Sequence, residues 1–588
     1  MHHLLSLALT FAQASGLTAV NLCVVAIVLA FFWWKPAQFR RVLRSLAILW
    51  HAFERRPKTA VIVVALVPML ARIALLPAHP IPQPNNHDEF SYLLAADTFA
   101  HGRLTNPTHP LWQFFETYHV LPQPTYMSKY PPVQGMLLAV GQVLFGHPWW
   151  GVVLSIGLMV GAVCWMLQGW LPGRWAALGA LTVALEFGVG HSWMNSYWGG
   201  APAAIGACLV LGAFARLKQF RPFRAHPARY SVIMALGIAI VVNSRPWEGM
   251  AVAVPAVIAL LWWMSTRGIS TFFERARVML VPGCAILAIV LAAMMFYNWR
   301  GTGNPLHMPY TVVHKTYSVA PLFVWQTRTS APHYRHTIME RFYLTGEPQY
   351  QAADTLNTMR GWLTVERSRL RMSKDLLFGN FFLLLCTALV FLSPPKPTRI
   401  LLAALAVFMV AMAIESWNQI HYFGPVIGLA AILKMTSLRR LSAWTVQGKR
   451  IGLALASAVI VCGGLTVIEG AVVFPNIDAF PMQRAAIQRQ LESTPGSHVV
   501  IVRYAADHPP SEEWVYNRAI IDDAKVVWAR DMSDQEDRQL FDYFKGRKFW
   551  LIEPDVAPDR LVALTSAPPS PAPQSSAALP DKVSFPWQ

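Results

Sequence analysis

The chain has 588 residues, of which 54% are hydrophobic and only 14% are charged, and its mean hydropathy is +0.37. Soluble domains carry about 25% charged residues, so this composition argues against a soluble protein, and the apolar content argues against a disordered one. The net charge of +18 is unevenly distributed, because residues 1–475 hold 37 basic and 15 acidic side chains whereas residues 476–588 hold 12 and 16. A basic apolar part followed by an acidic polar part favours two compartments over a nucleic-acid partner.

Twelve mainly apolar runs approach the length of about 20 residues that a transmembrane helix needs. These runs are 16–34, 59–77, 149–171, 174–192, 201–216, 230–244, 249–264, 278–297, 376–393, 399–415, 422–436 and 451–473. The shorter stretch 133–146 predicts a half-helix or a surface helix. The sequence therefore predicts an α-helical polytopic membrane protein with about 12–13 transmembrane helices.

Lysine and arginine predict the orientation of these spans. Twelve spans place the basic clusters on one side, which the positive-inside rule makes cytoplasmic. The clusters lie at 35–58, 216–229, 267–277, 396–399 and 434–450. Residues 78–148, 298–375 and everything after 474 are then extracytoplasmic. Residues 4–14 faintly resemble a signal peptide but lack a basic start, which favours an uncleaved chain with its N-terminus outside.

The last part of the chain differs from the membrane part. Segments 498–504 and 548–552 have the pattern of strands, and 534–544 has the pattern of a helix. We therefore expect a small extracytoplasmic α/β domain over 474–565. The Pro/Ser-rich residues 566–588 predict a disordered tail.

An acidic pair opens the first outer loop, in the run His87-Asp88-Glu89. Two carboxylates next to an apolar helix are costly so close to a membrane unless they are hydrated or paired. Residues 89–101 predict a helix lying flat on the bilayer, with Phe90, Leu93 and Leu94 on its apolar face. The structural alternative is that Asp88 only caps this helix.

Lys129 is the single lysine of the same loop and stands before Tyr130 and two prolines, which stiffen the chain into the next segment. A cation here is placed to bind a phosphate at the membrane surface. The alternative is a lysine that extends along apolar surface to reach water.

Polar side chains also occur at further outer turns and inside one span. Arg245 lies where the positive-inside rule disfavours arginine, and its planar fork suits phosphate oxygens, although pairing with Glu248 is the simpler interpretation. Glu186 lies inside an apolar run, so it is either functional or a partner for a neighbouring helix. The other candidates at these turns are Asn195, Tyr197, Trp198, Arg300, His421 and Tyr422.

Together these features resemble the GT-C glycosyltransferases. The acidic pair, the helix behind it and the Lys-x-Pro-Pro element are most similar to glycosyltransferase family 39, in the protein O-mannosyltransferase and aminoarabinose-transferase branch. The resemblance covers 59–310 well and 376–436 loosely. The additional N-terminal span and the C-terminal α/β domain depart from the family pattern, which leaves the class of acceptor open.

The resemblance implies transfer of a sugar from a polyprenyl-phosphate donor to an acceptor hydroxyl, with inversion, on the extracytoplasmic side. It implies Asp88 as general base, Glu89 as its neighbour that binds acceptor or orients Asp88, and Lys129 as a ligand of the donor phosphate. Position and chemistry add Arg245 and Arg300 to the phosphate site. We expect the substrate to contact His87, Tyr92, Tyr130, Asn195, Tyr197, Trp198, Glu248, His421 and Tyr422.

Some GT-C enzymes use a divalent metal, but here Lys129 and Arg245 supply positive charge, so we predict no obligatory cofactor or metal. The expected partners are the lipid bilayer of the inner cell membrane, the lipid-linked sugar, and an acceptor lipid, polysaccharide or protein. Two alternatives stay open at this point, namely a transporter or flippase of a lipid-linked saccharide and a non-catalytic envelope scaffold.

The predicted domain organisation follows the same pattern. It comprises an N-terminal span with a basic loop (1–58), a catalytic membrane module (59–310) with its first outer loop (78–132), an outer region (311–375), C-terminal transmembrane helices (376–473), the α/β domain (474–565) and the tail (566–588).

Overall fold

A computed structural model gives the arrangement of most of the chain. It describes residues 19–218, 226–266, 269–351, 356, 358–379, 387–388, 392, 394–472 and 479–565. The signal-like residues 4–14, the predicted disordered tail 566–588 and most of the predicted span 376–393 lie outside the described residues.

Helices dominate the described chain. The first fifteen are α1 (Ala19–Trp34), α2 (Pro36–Arg55), α3 (Pro57–Ala74), α4 (His87–Ala100), α5 (Pro132–Phe145), α6 (Trp149–Leu167), α7 (Gly173–Phe187), α8 (Ala201–Lys218), α9 (Pro227–Val242), α10 (Pro246–Ser265), α11 (Ile269–Met279), α12 (Val281–Thr302), α13 (Pro309–Tyr317), α14 (Thr337–Arg341) and α15 (Glu347–Tyr350). The later ones are α16 (Met359–Phe378), α17 (Lys396–Ile414), α18 (Ile427–Ser442), α19 (Ile451–Val472), α20 (Ala479–Ser493) and α21 (Asp534–Tyr543).

Five of these helices, α3, α6, α8, α10 and α12, are long and apolar enough to cross a membrane. The pair formed by α1 and the start of α2 passes the same test together but is bent by 108°, and it makes six if it counts as one span. Shorter apolar helices lie in α5, α9, α17 and α19. The predicted polytopic helical fold is confirmed, while the number of twelve or thirteen spans stays a prediction.

Helices α6 and α8 form the interior of the bundle, and α3 and α12 lie at its surface. Ile156 and Met159 of α6 are fully buried, whereas Leu70 of α3 and Ile289 of α12 expose more than half of their side chains. Small residues bring α5 and α6 into close contact, because a Cβ atom on Gly141 would lie 2.1 Å from the backbone nitrogen of Gly151. This contact joins the C-terminal half of α5 to the first turn of α6.

Lys434 lies inside α18 rather than in a cytoplasmic loop, which corrects its use as an orientation signal. Its side chain is 2% exposed, and its ammonium donates to both carboxylate oxygens of Glu186 at 2.7 Å. Of the two interpretations of Glu186, the ion pair supports a partner for a neighbouring helix, because it joins α7 to α18. Glu186 does not line the cavity of the candidate active site.

The first loop folds into a small antiparallel sheet beside α4. Strand β3 (Thr125–Ser128) pairs with β1 (Asn106–Pro107) and with β2 (Val120–Leu121). Helix α4 forms as predicted, but the expectation that its apolar face lies on the bilayer is wrong. Phe90 stacks on Tyr516 at 4.3 Å between ring centres, and both are buried, because the C-terminal part of the chain covers this face.

The C-terminal part contains a four-stranded sheet in the order β5-β4-β6-β7. Strands β4 (His498–Val502), β5 (Val526–Arg530) and β6 (Lys548–Ile552) are parallel, and β7 (Val562–Leu564) is antiparallel to β6. The strands predicted at 498–504 and 548–552 and the helix predicted at 534–544 are confirmed. Strands β4 and β5 are nearly continuous apolar runs, rather than alternating ones, because both of their faces are buried.

Candidate active site

A cavity of about 530 Å³ lies between the first loop and helices α9, α10 and α12. Its polar end is formed by charged and aromatic side chains of the first loop and of the turn before α10. Its other end is apolar and is formed by α9 and α12, with Ile238, Val242, Leu287, Val290 and Leu291. The cavity, called the central cavity below, therefore joins a polar pocket to an apolar channel between two helices.

Asp88 reaches the central cavity from the first turn of α4. Asn86 is the N-cap of this helix, since its side-chain oxygen accepts hydrogen bonds from the backbone nitrogens of Asp88 and Glu89. The alternative that Asp88 only caps the helix is therefore wrong. Capping by Asn86 leaves the Asp88 carboxylate available for other contacts.

Two side chains hold the Asp88 carboxylate in place. His119 Nδ1 lies 2.6 Å from Asp88 Oδ1, and the Tyr130 hydroxyl donates to the same oxygen. Burial raises the pKa of Asp88, but the neighbouring His119, with its hydrogen bond, and the nearby Lys129 outweigh burial and hold that pKa well below its usual range. Asp88 is thus an ionised and oriented carboxylate.

Glu89 is placed differently from its neighbour. Its side chain is 3% exposed, does not line the central cavity and accepts a 3.3 Å hydrogen bond from Asn86 Nδ2. Burial raises the pKa of Glu89 to about 8, so at neutral pH this carboxyl is mostly protonated. The two adjacent acids therefore differ in both charge and access to the central cavity.

Lys129 follows strand β3 and points between two aromatic rings. Its ammonium lies 5.2 Å from the ring centre of Tyr130 and 5.1 Å from that of Tyr310, and the side chain is 9% exposed. The alternative of a lysine reaching for water is therefore wrong. Burial lowers the pKa of Lys129 to about 8, against the opposing charges of Asp88 and Glu347.

Arg245 precedes α10 at the same end of the central cavity. Its Nη1 lies 3.9 Å from Glu248 Oε1, and its guanidinium carbon lies 4.3 Å from the ring centre of Tyr422. Both the predicted pairing with Glu248 and the exposure to the central cavity are observed. Within the described part of the chain, its buried Nε has no hydrogen-bond partner, so a donor remains for a ligand.

The structure brings most of the predicted site residues to one place. The central cavity is lined by the predicted residues His87, Asp88, Tyr92, Lys129, Tyr130, Trp198, Arg245, Glu248 and Tyr422. Besides Glu89, four predicted residues lie outside its lining. Asn195 accepts from Arg72 Nε, the Tyr197 hydroxyl donates to the carbonyl of Pro82, Arg300 is exposed, and His421 lies behind Trp198 with 5.0 Å between ring centres.

Among the polar residues that line the central cavity and that sequence reasoning did not select are His119, Tyr310, Glu347 and Glu415. His119 lies in the first loop with a backbone φ of 59°, a conformation uncommon for a residue other than glycine. His119 lies among aromatic residues in a loop, so no periodic pattern of hydrophobic and polar residues marks it as a site residue. The pKa of the buried Glu347 is raised to about 7, mainly by burial.

His87, Asp88 and His119 also form a group that is able to hold a metal ion. One ligand atom from each lies within 4.8 Å of the others, and no described residue forms a hydrogen bond with the buried His87 Nδ1 or His119 Nε2. Two imidazoles and a carboxylate suit Zn²⁺, which would supply a Lewis acid at the polar end of the central cavity. The residues present therefore fit such an ion, and the predicted absence of an obligatory metal stays a prediction.

No protein-family model matches the sequence, and no curated protein matches it. Among solved structures, the chain is similar to ArnT from Cupriavidus metallidurans bound to undecaprenyl phosphate, with 14% identity, a TM-score of 0.48, and coverage of 87% of this chain and 94% of that one. It is similar to the Archaeoglobus fulgidus oligosaccharyltransferase in complex with Zn and sulfate, with 14% identity, a TM-score of 0.46 and 75% of this chain covered.

The chain spans 60% of the length of that oligosaccharyltransferase. It is also similar to the arabinofuranosyltransferase AftD from Mycobacteria, with 14% identity, a TM-score of 0.39, and coverage of 85% of this chain and 35% of that one.

Proposed function

We propose that this protein is a membrane glycosyltransferase that moves a sugar from a polyprenyl-phosphate donor to an acceptor hydroxyl on the extracytoplasmic side, with inversion. Asp88 is the general base, and Lys129 and Arg245 bind the donor phosphate. The product is a glycosylated lipid, polysaccharide or protein of the cell envelope.

One observation carries this proposal, namely that Asp88, Lys129 and Arg245 line the same cavity although they come from three separate segments of the sequence. A carboxylate with two cations is the set of charges that the reaction needs. The carboxylate accepts the proton of the attacking hydroxyl, and the cations stabilise the phosphate that leaves.

The shape of the central cavity supports a lipid-linked donor. Its charged end lies next to an apolar channel formed by Val242 of α9 and Leu287 and Leu291 of α12. A polyprenyl chain is apolar and its phosphate is charged, so a single donor would satisfy both ends at once. A soluble nucleotide sugar would leave the apolar channel without a ligand.

The reaction follows from these positions. The acceptor oxygen attacks the anomeric carbon, a new glycosidic bond forms, and the bond from that carbon to the phosphate oxygen breaks. The proton of the hydroxyl passes to Asp88, and the electron pair of the broken bond leaves on the lipid phosphate. Attack on the side opposite to the leaving group inverts the anomeric centre.

Groups around Asp88 prepare it for this step. His119 and Tyr130 both bond to Oδ1 and fix the plane of the carboxylate. An oriented base contributes more to the rate than a mobile one, since less freedom is lost in the transition state. Glu89, buried behind Asp88, belongs to the support of this turn rather than to the reacting groups.

The transporter and scaffold alternatives receive less support. A transporter of the broken-helix type binds its substrate near the middle of the membrane, between repeated halves. The polar end of the central cavity is formed instead by the first loop and the turn before α10. A scaffold needs no buried set of an ionised carboxylate, a lysine and an arginine around one cavity.

Mass spectrometry of cell-envelope lipids, polysaccharides and proteins tests the proposal. Cells with the wild-type chain should contain a glycosylated product that is absent from cells without the chain and from cells with Asp88→Asn. Loss of the base should lower transfer by about 10²- to 10⁴-fold. The exposed Asp559→Asn is the matched control and should retain the product. Wild-type product with Asp88→Asn at equal protein level would reject the proposal.

A further inference from the structure

A second cavity, of about 270 Å³, lies at the carboxyl ends of the parallel strands β4 and β5. Val502 and Arg530, the last residues of these strands, line it, and α14 covers its other side through Ile338 and Arg341. In sheets of parallel strands, ligands bind at this edge because the loops that follow the strands leave a crevice there. The central cavity does not include any of these residues.

Arginine is the main polar residue of this cavity, which is called the basic cleft below. Its lining contains four arginines, namely Arg335, Arg341, Arg503 and Arg530, and two acidic residues, Asp531 and Glu536. Asp531 is bonded to Arg503, with 2.7 Å between Oδ2 and Nε. Among the described residues, neither Arg335 nor Arg341 pairs with a carboxylate, so the cleft has an excess of positive charge.

Arg530 lines this cleft and has one side-chain nitrogen without a hydrogen-bond partner among the described residues. Its side chain is 2% exposed, Nε donates to the carbonyl of Glu116, and Nη2 donates to Glu513. The remaining nitrogen, Nη1, is buried and has no hydrogen-bond partner among the described residues. A buried donor without a partner is costly, so an acceptor atom from a ligand would remove this cost.

Aromatic rings line a third cavity, of about 400 Å³, that adjoins the basic cleft. The two cavities share Arg335, Met532 and Glu536, and the third one is also lined by Trp112 and Tyr334. The guanidinium carbon of Arg335 lies 5.7 Å from the ring centre of Trp112. Aromatic faces beside polar groups suit sugar rings, whose C–H faces are apolar and whose edges carry hydroxyls.

The basic cleft is connected to the central cavity by one short helical segment. Ile338 and Arg341 of α14 line the cleft, and Phe342 and Glu347, which follow directly, line the central cavity. A molecule bound in the cleft is therefore separated from the proposed reaction centre by about the thickness of one helix.

We infer that the basic cleft and the adjoining aromatic cavity bind a part of the acceptor that does not itself react, an acidic saccharide unit that carries a carboxylate or a phosphate group. Arg335 and Arg530 bind the acidic group, and Trp112 and Tyr334 contact the sugar ring. This inference rests on the proposed glycosyltransferase function, because it identifies the chemical class of the acceptor.

Isothermal titration calorimetry on the purified full-length protein tests the inference with four probes, namely D-glucuronic acid, glucose 6-phosphate, glucose and inorganic phosphate. At least one sugar acid should bind about tenfold more tightly than glucose and than inorganic phosphate, since a charge-assisted hydrogen bond contributes about that much. Preference for glucuronic acid assigns a carboxylate acceptor, and preference for glucose 6-phosphate assigns a phosphorylated one. Equal binding of glucose, equal binding of inorganic phosphate, or no binding would overturn the inference.

Variants complete the test. Arg335→Gln changes an exposed residue and should weaken sugar-acid binding about tenfold, as should Arg530→Lys, which retains the charge that faces Glu513. The exposed Arg560→Gln is the matched control and should bind like the wild type. Unchanged binding by Arg335→Gln would overturn the inference.

Asp88→Asn separates the inference from the proposed function. This variant should retain probe affinity, because binding in the basic cleft does not require the base. Calorimetry without the expected preference would overturn the acceptor inference alone. Cell-envelope analysis without the expected product would overturn the transferase proposal.

Discussion

His119 and Asp88 are joined by a 2.6 Å hydrogen bond across 31 residues of sequence. The histidine side chain is 4% exposed, and its backbone adopts a φ of 59°, which turns the imidazole toward the first turn of α4. Burial and the charge of Lys129 lower the pKa of His119 well below its usual range, so its neutral ring orients the carboxylate at physiological pH. His119 is therefore a positioning residue for the proposed base.

Replacing this histidine should change the pH profile of transfer. In His119→Asn, which tolerates the same backbone conformation, the pKa of Asp88 should rise because the hydrogen bond that favours its ionised form is lost. Since the ionised carboxylate is the active form, activity should be lost at a higher pH as the solution is acidified. We expect kcat/KM at pH 7 to fall about 10- to 100-fold.

The measurement is the acidic limb of kcat/KM against pH. The exposed His51→Asn is the matched control and should give the wild-type limb. A reduced rate with an unmoved limb would show that His119 supports the loop without acting on Asp88.

Binding of the donor should weaken in alkaline solution because of Lys129. Its pKa of about 8 lies below the ordinary value, so the ammonium is charged below pH 8 and loses its proton as the pH rises through that value. The donor KM should therefore increase between pH 7 and 9, while the acceptor KM should stay constant. Steady-state kinetics with varied donor at several pH values measure this.

Two variants of Lys129 sharpen the prediction. Lys129→Arg keeps its charge throughout this range and should remove the alkaline increase in donor KM. Lys129→Ala should raise donor KM at every pH, by about tenfold or more. An alkaline increase that persists in Lys129→Arg would assign the titration to another group.

Removal of divalent metal should leave transfer intact. Lys129 and Arg245 supply positive charge at the central cavity, so protein treated with EDTA and dialysed should keep the rate of untreated protein. Transfer that is lost and then restored by Zn²⁺ would contradict this prediction. In that case His87→Gln should weaken Zn²⁺ binding, because His87 belongs to the group of possible ligands.

Much of the candidate site was predictable because membrane spans divide the sequence into recognisable segments. Asp88, Lys129 and Arg245 are among the charged residues that the predicted spans leave at outer turns and that hydropathy does not explain. The structure brings all three to one cavity. Charge in an apolar context is therefore a strong signal even where neither spacing nor a motif is specific.

The remaining features depend on contacts between distant segments, which a local pattern does not encode. The apolar face of α4 is equally consistent with contact to lipid and with contact to protein. The stacking of Phe90 on Tyr516, which lies 426 residues later, shows that the contact is with protein. The same limit applies to Lys434. Its position near a basic cluster predicts a cytoplasmic loop, and only the packing of α7 against α18 pairs it with Glu186.

This buried ion pair should matter for stability rather than for catalysis. Lys434 is 2% exposed and Glu186 is 23% exposed, so removing one partner leaves a charge inside the bundle. Lys434→Met or Glu186→Leu should each lower the free energy of unfolding, by about 3–5 kcal/mol, because each leaves one buried charge without its partner. Thermal unfolding of the detergent-solubilised protein measures this as a decrease in Tm, with donor KM unchanged in the folded fraction.

The double variant Lys434→Met with Glu186→Leu is the decisive comparison. It removes both charges and fills the space with apolar side chains, so it should recover most of the stability that either single change loses. Additive destabilisation in the double variant would instead show that each side chain contributes through packing. Loss of transfer in a fully folded single variant would place this pair in the reaction, contrary to its position outside the lining of the central cavity.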